Sequence, residues 1–233
     1  MPFSQTPQYS TYQTVKLDLL KVSQARSTVS TQEPLLTNCY PEFIVNKLTN
    51  QQDVHIIKRP GTSTFITAPS GTTSRGLYHW RDQNKLFYAV DDDVLVYNAT
   101  TGAAITTLNA VFTTTTGEVG FTEFLYDNGT VKIVAVDGVR IVTIDSANTV
   151  VTAGAGFPTP FLPIPIFLDQ FLFLVKTATA EIFNSDVNDP LLWTGATSIN
   201  AEIEPDQLKS IVKLNNYLAV LGSSSIEYFY PFF

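Results

Sequence analysis

From residue 75 onward the chain repeats one arrangement of apolar and polar positions. A short apolar run meets a polar turn, and a second short run follows that ends on an aromatic or aliphatic residue. Residues 86–90 (LFYAV), 91–93 (DDD) and 94–97 (VLVY) form the first copy. Residues 131–136 (VKIVAV), Asp137-Gly138 and 139–144 (VRIVTI) form the second. Residues 171–175 (FLFLV), 176–180 and 181–183 form the third, and 217–221 (YLAVL), 222–225 and 226–229 (IEYF) the fourth. Runs this short, bounded by turn residues and rich in Val, Ile, Phe and Tyr, predict strands rather than helices. Each pair predicts a hairpin, and Asp137-Gly138 is the strongest short-loop signal of the four. A further apolar stretch precedes each hairpin, at 76–80, 120–126, 161–168 and 210–214. The units recur about every 40–47 residues, the spacing of propeller blades. One blade cannot bury both faces of its sheet, so neighbours must stack.

The pattern therefore predicts an all-β fold, a β-propeller-like array of antiparallel sheets. Four blades is the low end for a closed propeller, and no closing strand is evident after the fourth hairpin, so the array is expected to be open or incomplete. An irregular β-sandwich with chance spacing is the alternative. Upstream, residues 1–34 are rich in Ser, Thr, Gln and Tyr and carry Pro2 and Pro7. They read as an extended N-terminal arm, with 35–233 as the body. Within the arm, residues 15–19 alternate like a short strand, and a basic amphipathic helix over 17–26 would lack a clear cap. Residues 35–43 predict a strand entering a turn at Pro41. Residues 54–65 predict a strand broken by Pro60-Gly61, a dipeptide that favours a type II turn. The stretch 166–193 ends in an Asp-Val-Asn-Asp-Pro turn, residues 186–190, and in Trp193, which is expected to be buried.

Composition agrees with this picture. Apolar residues make up 44% of the chain, enough for a real core, and charged residues only 15%. Thr, Ser and Asn take up the polar surface instead, which suits strands. The net charge of −7 divides unevenly, about +2 over residues 1–60 and about −9 over 61–233. An acidic body is a poor non-specific binder of phosphate backbones. A lone cysteine, Cys39, leaves no internal disulfide. No apolar run reaches the length of a membrane span, and the first residues lack the basic and apolar regions of a secretory signal.

Little in the sequence points to catalysis. Asp91, Asp92 and Asp93 have the chemistry to chelate a hard cation, but between two apolar strands they read as a solvated turn. Asp186, Asn188 and Asp189 loosely resemble a calcium loop without its glycine and bidentate glutamate, so Asx-turns ahead of Pro190 are the expected role. His55 and His79, the two histidines, have no metal-ligand spacing. No G-x-S-x-G elbow is present, and Cys39 reads as a small buried hydrophobe. Glu202 and Glu204 would share one face of a strand. Carboxylates that converge from distant blades for glycoside cleavage stay open at this level. Phe171, Phe173, Tyr228 and Phe229 read as core. The expectation is no catalytic, cofactor or metal site.

Several short motifs, in a set order and spacing, carry a family resemblance. Asn38-Cys39-Tyr40-Pro41-Glu42 is followed by Arg59-Pro60-Gly61 and by Ser74-Arg75-Gly76 at the start of the first blade. Later come Asn184-Ser185-Asp186, Asn188-Asp189-Pro190 and Trp193, then Glu202, Glu204, Pro205, Asp206 and the hairpin 218–227. Together they cover most of residues 35–230. In this the chain resembles the tail hub (nozzle) proteins of short-tailed bacteriophages, also called packaged-DNA stabilisation proteins, whose members are usually longer. The resemblance implies a non-enzymatic virion subunit of the tail, assembled in the host bacterial cytoplasm. It implies a homo-oligomeric ring, a hexamer, below the portal and adaptor, where it prolongs the DNA channel and helps to retain the genome until ejection. Implied partners are adaptor and portal-side proteins, tail fibre or spike proteins, and double-stranded DNA that passes without specific binding. No cofactor and no membrane insertion are implied. The arm 1–34 is the candidate for docking to the adaptor, and the loops 113–117 and 157–165 are long enough to enter the channel. The competing reading is a carbohydrate-binding or glycan-hydrolysing β-propeller, a receptor-binding tail module. It needs exposed aromatic platforms, and the chain has only Trp80 and Trp193 as tryptophans.

Overall fold

The computed structural model describes residues 39–45, 52–58, 63–194, 198–201 and 206–230, the first two spans as backbone. The chain divides into two compact units, Met1–Ser63 and Thr64–Phe233. The expected boundary at 34/35 lies outside the described residues, as do the arm and the strand or helix readings within it.

In the first unit, β1 (Cys39–Val45) and β2 (Gln52–Lys58) pair antiparallel. Pro41 does not begin a turn: it lies inside β1, opposite Ile56. A two-stranded ribbon has two open edges, and proline is tolerated where its missing N–H would point to an edge. The break expected at Pro60-Gly61 lies outside the described residues.

The second unit is a run of four antiparallel sheets, each a simple meander. Sheet I contains β3 (Ser74–Trp80), β4 (Lys85–Val90), β5 (Asp93–Asn98) and β6 (Ala104–Leu108). Sheet II contains β7 (Gly120–Leu125), β8 (Val131–Val136), β9 (Ile141–Ile144) and β10 (Val150–Thr152). Sheet III contains β11 (Ile166–Leu168), β12 (Phe171–Val175), β13 (Glu181–Asn184) and β14 (Ser198–Asn200). Sheet IV contains β15 (Leu208–Leu214), β16 (Tyr217–Gly222) and β17 (Ile226–Phe229). All four hairpins expected from the sequence are present. The fourth strands β6, β10 and β14 are additions to the sequence reading.

Two of the boundaries that differ from expectation have a visible cause. The second strand of the second hairpin starts at Ile141 rather than at residue 139. The Asp137 carboxylate Oδ1 accepts the N–H groups of Val139 (3.0 Å) and Arg140 (2.7 Å), which curls those residues into the turn. Gly138, at φ +93°, supplies the left-handed step. The inner strand of sheet III is also shorter than 161–168. Pro163 and Pro165 each remove a ladder donor, so Phe161 makes only an isolated bridge to Lys176 before β11 begins.

The sheets stack through alternate side chains of their middle strands. On β8, Ile133 and Ala135 pack with Phe87, Ala89, Val94 and Val96 of sheet I. Val134 and Val136, one residue out of phase, pack with Leu172 and Leu174 of sheet III. On β12, Phe173 and Val175 turn the other way, to Ile211, Leu218 and Val220 of sheet IV. This two-sided burial is why VKIVAV and FLFLV read as continuous apolar runs. Each fully buried side chain of this size contributes about 1.5–3 kcal/mol. The innermost strands follow one another in space, β3 beside β7, β7 beside β11 and β11 beside β15. The result is an open, propeller-like array. Of the aromatics expected in the core, Phe173 is fully buried and Phe171 and Phe229 pack on its margin, but Tyr228 is 61% exposed. Tyr228 sits one residue from Glu227 and Phe229 on an edge strand, so alternation turns it to the outer face.

Candidate functional site at the joints between sheets

Three of the charged groups buried in the body, Arg75, Lys85 and Asp137, lie at the seam between sheets I and II. Arg75 is the clearest. The ladder between β3 and β4 skips a residue between Ser74 and Gly76, and such a bulge re-aims the extra side chain. Arg75 thereby enters the seam between sheets I and II with its side chain fully buried. Its Nε donates to Gly117 O (2.9 Å), and Nη1 donates to Asp91 O and Thr114 O (2.6 Å each). Nη2 donates to Thr114 Oγ1 (2.8 Å), which donates in turn to Asp137 Oδ2 (2.6 Å). The carboxylate stands 4.0 Å from Nη2, and the guanidinium lies 5.4 Å from the ring centre of Phe112. Burial pushes the Arg75 pKa down, and Asp137, then Asp91 and Asp92, oppose that shift. One cation thus fastens the loop entering sheet II to the turn of its own sheet and to the β8–β9 turn.

Gly76 completes the seam. A Cβ there would collide with Val119 O, and the Val119 N–H donates to Arg75 O at 3.0 Å. Gly120 does the same for the next seam, where a Cβ would meet Pro163 O. At the other end of the sheet I–II seam, Lys85 donates to Ser146 O (2.5 Å) and to Asn148 Oδ1 (2.8 Å). Burial lowers the Lys85 pKa, opposed by Asp145. Between them, the Tyr78 hydroxyl donates to Glu123 across β3 and β7 at 3.0 Å. Burial pushes the Tyr78 pKa up to about 12, and Glu123 adds to the shift.

A second cluster follows β13. Asp186 accepts the Thr194 N–H (3.1 Å) and hydroxyl (2.5 Å), and Asp189 accepts the Leu191 N–H (2.9 Å). Trp193 is buried and donates from Nε1 to Pro190 O at 3.1 Å. Asn188 Oδ1 accepts the Asp127 N–H at 2.7 Å and so ties this loop to sheet II. The carboxylates are turn formers, as the Asx-turn reading expected. Asp91 and Asp93 act likewise, accepting the N–H groups of Thr73 and Ala110 (2.8 Å each). Among the described residues no group of three or more His, Cys, Asp or Glu converges as a metal site would. Nor is any described helix long and apolar enough to cross a membrane.

The motif residues thus fall into separate places. Arg75 and Gly76 meet at the first seam, while Asp186, Asp189, Pro190 and Trp193 meet beside the second. Tyr40, Pro41 and Glu42 lie on β1. Asn38, Arg59, Pro60, Gly61 and Pro205 lie outside the described residues, as do Glu202 and Glu204. Asp206, half-buried, accepts the Ser224 N–H (2.7 Å) and the Ser225 hydroxyl (3.0 Å), which hold its carboxyl below the usual range. Sequence reasoning did not assign Asp137, Thr114 or Lys85 to the seam. One signal was available: a buried arginine needs a carboxylate, and Asp137 is the acidic residue of a tight turn in the neighbouring blade.

Comparison with known proteins gives the following. Residues 32–231 match the model of the Phage_stabilise family, described as "Bacteriophage P22 Gp10, beta-propeller". No curated protein matches the chain. Among solved structures, the dihydro-heme d1 dehydrogenase NirN in complex with DHE aligns over 70% of this chain at 13% identity, with a TM-score of 0.50. The alignment spans only 36% of that protein. A catalytically inactive virginiamycin B lyase from Staphylococcus aureus, with quinupristin, aligns over 84% of this chain and 72% of its own at 14% identity, with a TM-score of 0.44. At such identities the NirN likeness is one of fold.

Proposed function

The chain belongs to the phage stabilisation family described by Bacteriophage P22 Gp10, a family of structural tail proteins of the virion, and from that membership we propose that it is a tail nozzle or hub subunit. In this reading it docks below the portal–adaptor complex, extends the DNA channel within a hexameric ring, and helps to retain packaged DNA until ejection. The observation that supports it is the use made of buried charge. Arg75, Lys85 and Asp137 are all engaged in fastening sheet to sheet, which favours rigidity over a reactive centre.

Charge supports the channel role. The acidic body offers few cations to phosphates, so little counterion release accompanies contact and DNA slides past without specific binding. The slightly basic arm 1–34 docks to the adaptor, and tail fibre or spike proteins attach to the ring. Assembly takes place in the host bacterial cytoplasm. The carbohydrate reading loses both tryptophans as platforms, since Trp80 and Trp193 are buried.

Electron microscopy of purified particles tests the reading by counting subunits and locating a central hole. Deletion of residues 1–34 is expected to abolish docking to the adaptor while the β body stays folded. Normal assembly of the truncated chain would overturn the docking role, and a particle without an axial hole would overturn the nozzle.

A further inference from the structure

The sequence holds one Asn-Gly pair, Asn128-Gly129, and the fold places it at the tip of the β7–β8 hairpin. The Tyr126 N–H donates to Thr130 O and the Gly129 N–H to Tyr126 O, at 2.9 Å each, and Gly129 has φ +79°. This is the three-residue hairpin loop in which a type I turn is closed by a glycine in the left-handed region. Inside the loop the Asn128 side chain folds forward along the chain, and its Oδ1 accepts the Thr130 N–H at 2.9 Å. Such an Asx-turn sets the carboxamide carbon beside the Gly129 nitrogen, the backbone atom between its two anchors. Both residues are exposed, and a Cβ on Gly129 would meet nothing within 4 Å.

We propose that Asn128 is a site of spontaneous modification, at which the Gly129 backbone nitrogen displaces the side-chain amide. The nitrogen forms a bond to Cγ, the bond from Cγ to Nδ2 breaks, and Nδ2 leaves as ammonia with the proton that Gly129 gives up. A succinimide ring then joins the two residues. Water opens it at the side-chain carbonyl to give aspartate, or at the main-chain carbonyl to give isoaspartate, which has one more carbon in the main chain. Three features select this residue. The Thr130 N–H stands at the oxygen on which negative charge builds during the attack. Glycine leaves its nitrogen unhindered and free to rotate into the ring. Exposure admits the water. The nearest rivals each lack one of these. Asn98 Oδ1 accepts the N–H groups of Thr100 and Thr101 at 2.9 Å each, but Ala99 follows it. Asp137 precedes Gly138 and accepts the Val139 N–H at 3.0 Å, but it is a buried carboxylate beside Arg75, a poor target for a nucleophile. The consequence falls on the joint between sheets II and III. There the Asp127 N–H donates to Asn188 Oδ1 at 2.7 Å, and isoaspartate at the next residue lengthens the main chain and adds a charge beside that contact. The modification is independent of the tail role.

Peptide mass spectrometry of the folded 233-residue chain, incubated at mildly alkaline pH, tests it. Asn128 is expected to exchange its carboxamide for a carboxylate faster than Asn98 does. Isoaspartyl methyltransferase, which methylates isoaspartate and not aspartate, is expected to label the aged chain and not the fresh one. Gly129→Ala should slow Asn128 to the rate of Asn98, with circular dichroism to monitor the fold. Ala99→Gly leaves the Asn128 turn untouched and should speed conversion at Asn98. An Asn128 that keeps its amide as long as Asn98 overturns the proposal. So does conversion that appears only after unfolding in urea, or that is indifferent to Gly129→Ala in a folded chain. An Asn98 unmoved by Ala99→Gly would overturn the glycine as the selecting feature. The aged chain is expected to unfold at a lower urea concentration than the fresh chain, and equal midpoints would overturn the effect on the joint.

Discussion

The seam between sheets I and II and the seam between sheets II and III are built on the same plan and held by different forces. In the first, buried cations, Arg75 at one end and Lys85 at the other, flank a mixed core with Trp80, Phe87 and Phe112 among aliphatic residues. The second is aromatic and, among the described residues, holds no buried cation. Phe124 lies 4.8 Å from Phe167 and 5.0 Å from Tyr126 between ring centres, and Phe157 reaches both Phe161 (5.9 Å) and Trp193 (6.5 Å). Charge fixes geometry, because a guanidinium fork accepts few arrangements. It also carries a risk, since removal of one partner strands the other in a dry seam. Aromatic packing has no such partner to strand, and its cost scales with the volume lost. One repeat unit thus accepts either chemistry, provided that each seam is filled.

Substitution separates the two. Trp193→Ala empties the second seam and is expected to lower stability by about 3–5 kcal/mol in denaturant unfolding. Asp137→Ala leaves Arg75 buried without its carboxylate and is expected to cost a comparable 3–5 kcal/mol or so. The signatures differ. Arg75→Met with Asp137→Asn, which keeps an oxygen for the Val139 and Arg140 N–H groups, should cost less than the two singles summed, since no buried charge is left unpaired. If the double variant is as unstable as the two singles summed, the charge network is not the fastening that the distances imply. Gly76→Ala drives a methyl into Val119 O and is expected to cost about 1–3 kcal/mol by overpacking. Equal stability of Gly76→Ala and the unaltered chain would show that the seam relaxes freely.

The smallest effect is a titration. Tyr78 lies on the first seam and Tyr126 beside the second, and burial pushes both pKa values up to about 12. A phenol in the unfolded chain ionises near pH ~10. The fold favours the neutral form, so the stability it adds is whole below that value and is lost as pH climbs towards about 12. Tyr78→Phe and Tyr126→Phe should each flatten the alkaline limb of the stability curve over that window. Tyr78→Phe should also cost about 1 kcal/mol at neutral pH through its bond to Glu123. Unchanged alkaline limbs in both variants would mean that neither phenol is sheltered.

The inner hairpins could be read from the sequence because β8, β12 and their partners are apolar on both faces and announce themselves as unbroken runs. The outermost strands could not. AITTL, VVT and SIN are short, mixed in polarity and largely exposed, and alternation over three to five residues does not stand out from loop. Arg75 was legible within a motif, but its carboxylate was not. Asp137 already had an adequate explanation as the first residue of an Asp-Gly turn, and Thr114 sits in a run of four threonines that offers no way to choose among them. Pro41 misled because a proline in a ribbon edge and a proline at a turn look alike in one dimension. Tyr228 misled because its neighbours Glu227 and Phe229 face inward and it does not.

The two-sided burial of β8 has a further consequence. In a strand with one wet face, sliding by a single residue drags its oily side into water, and the loss keeps the strand in place. VKIVAV has no wet face to expose. Sliding it exchanges one greasy set for another, and solvent scarcely registers the error. Alignment must therefore be enforced from the ends, by the Asp137 carboxylate that cages the turn and by Gly120, where the backbone at Pro163 leaves room for nothing larger. In sheet II the punctuation, not the oil, keeps the strands in phase.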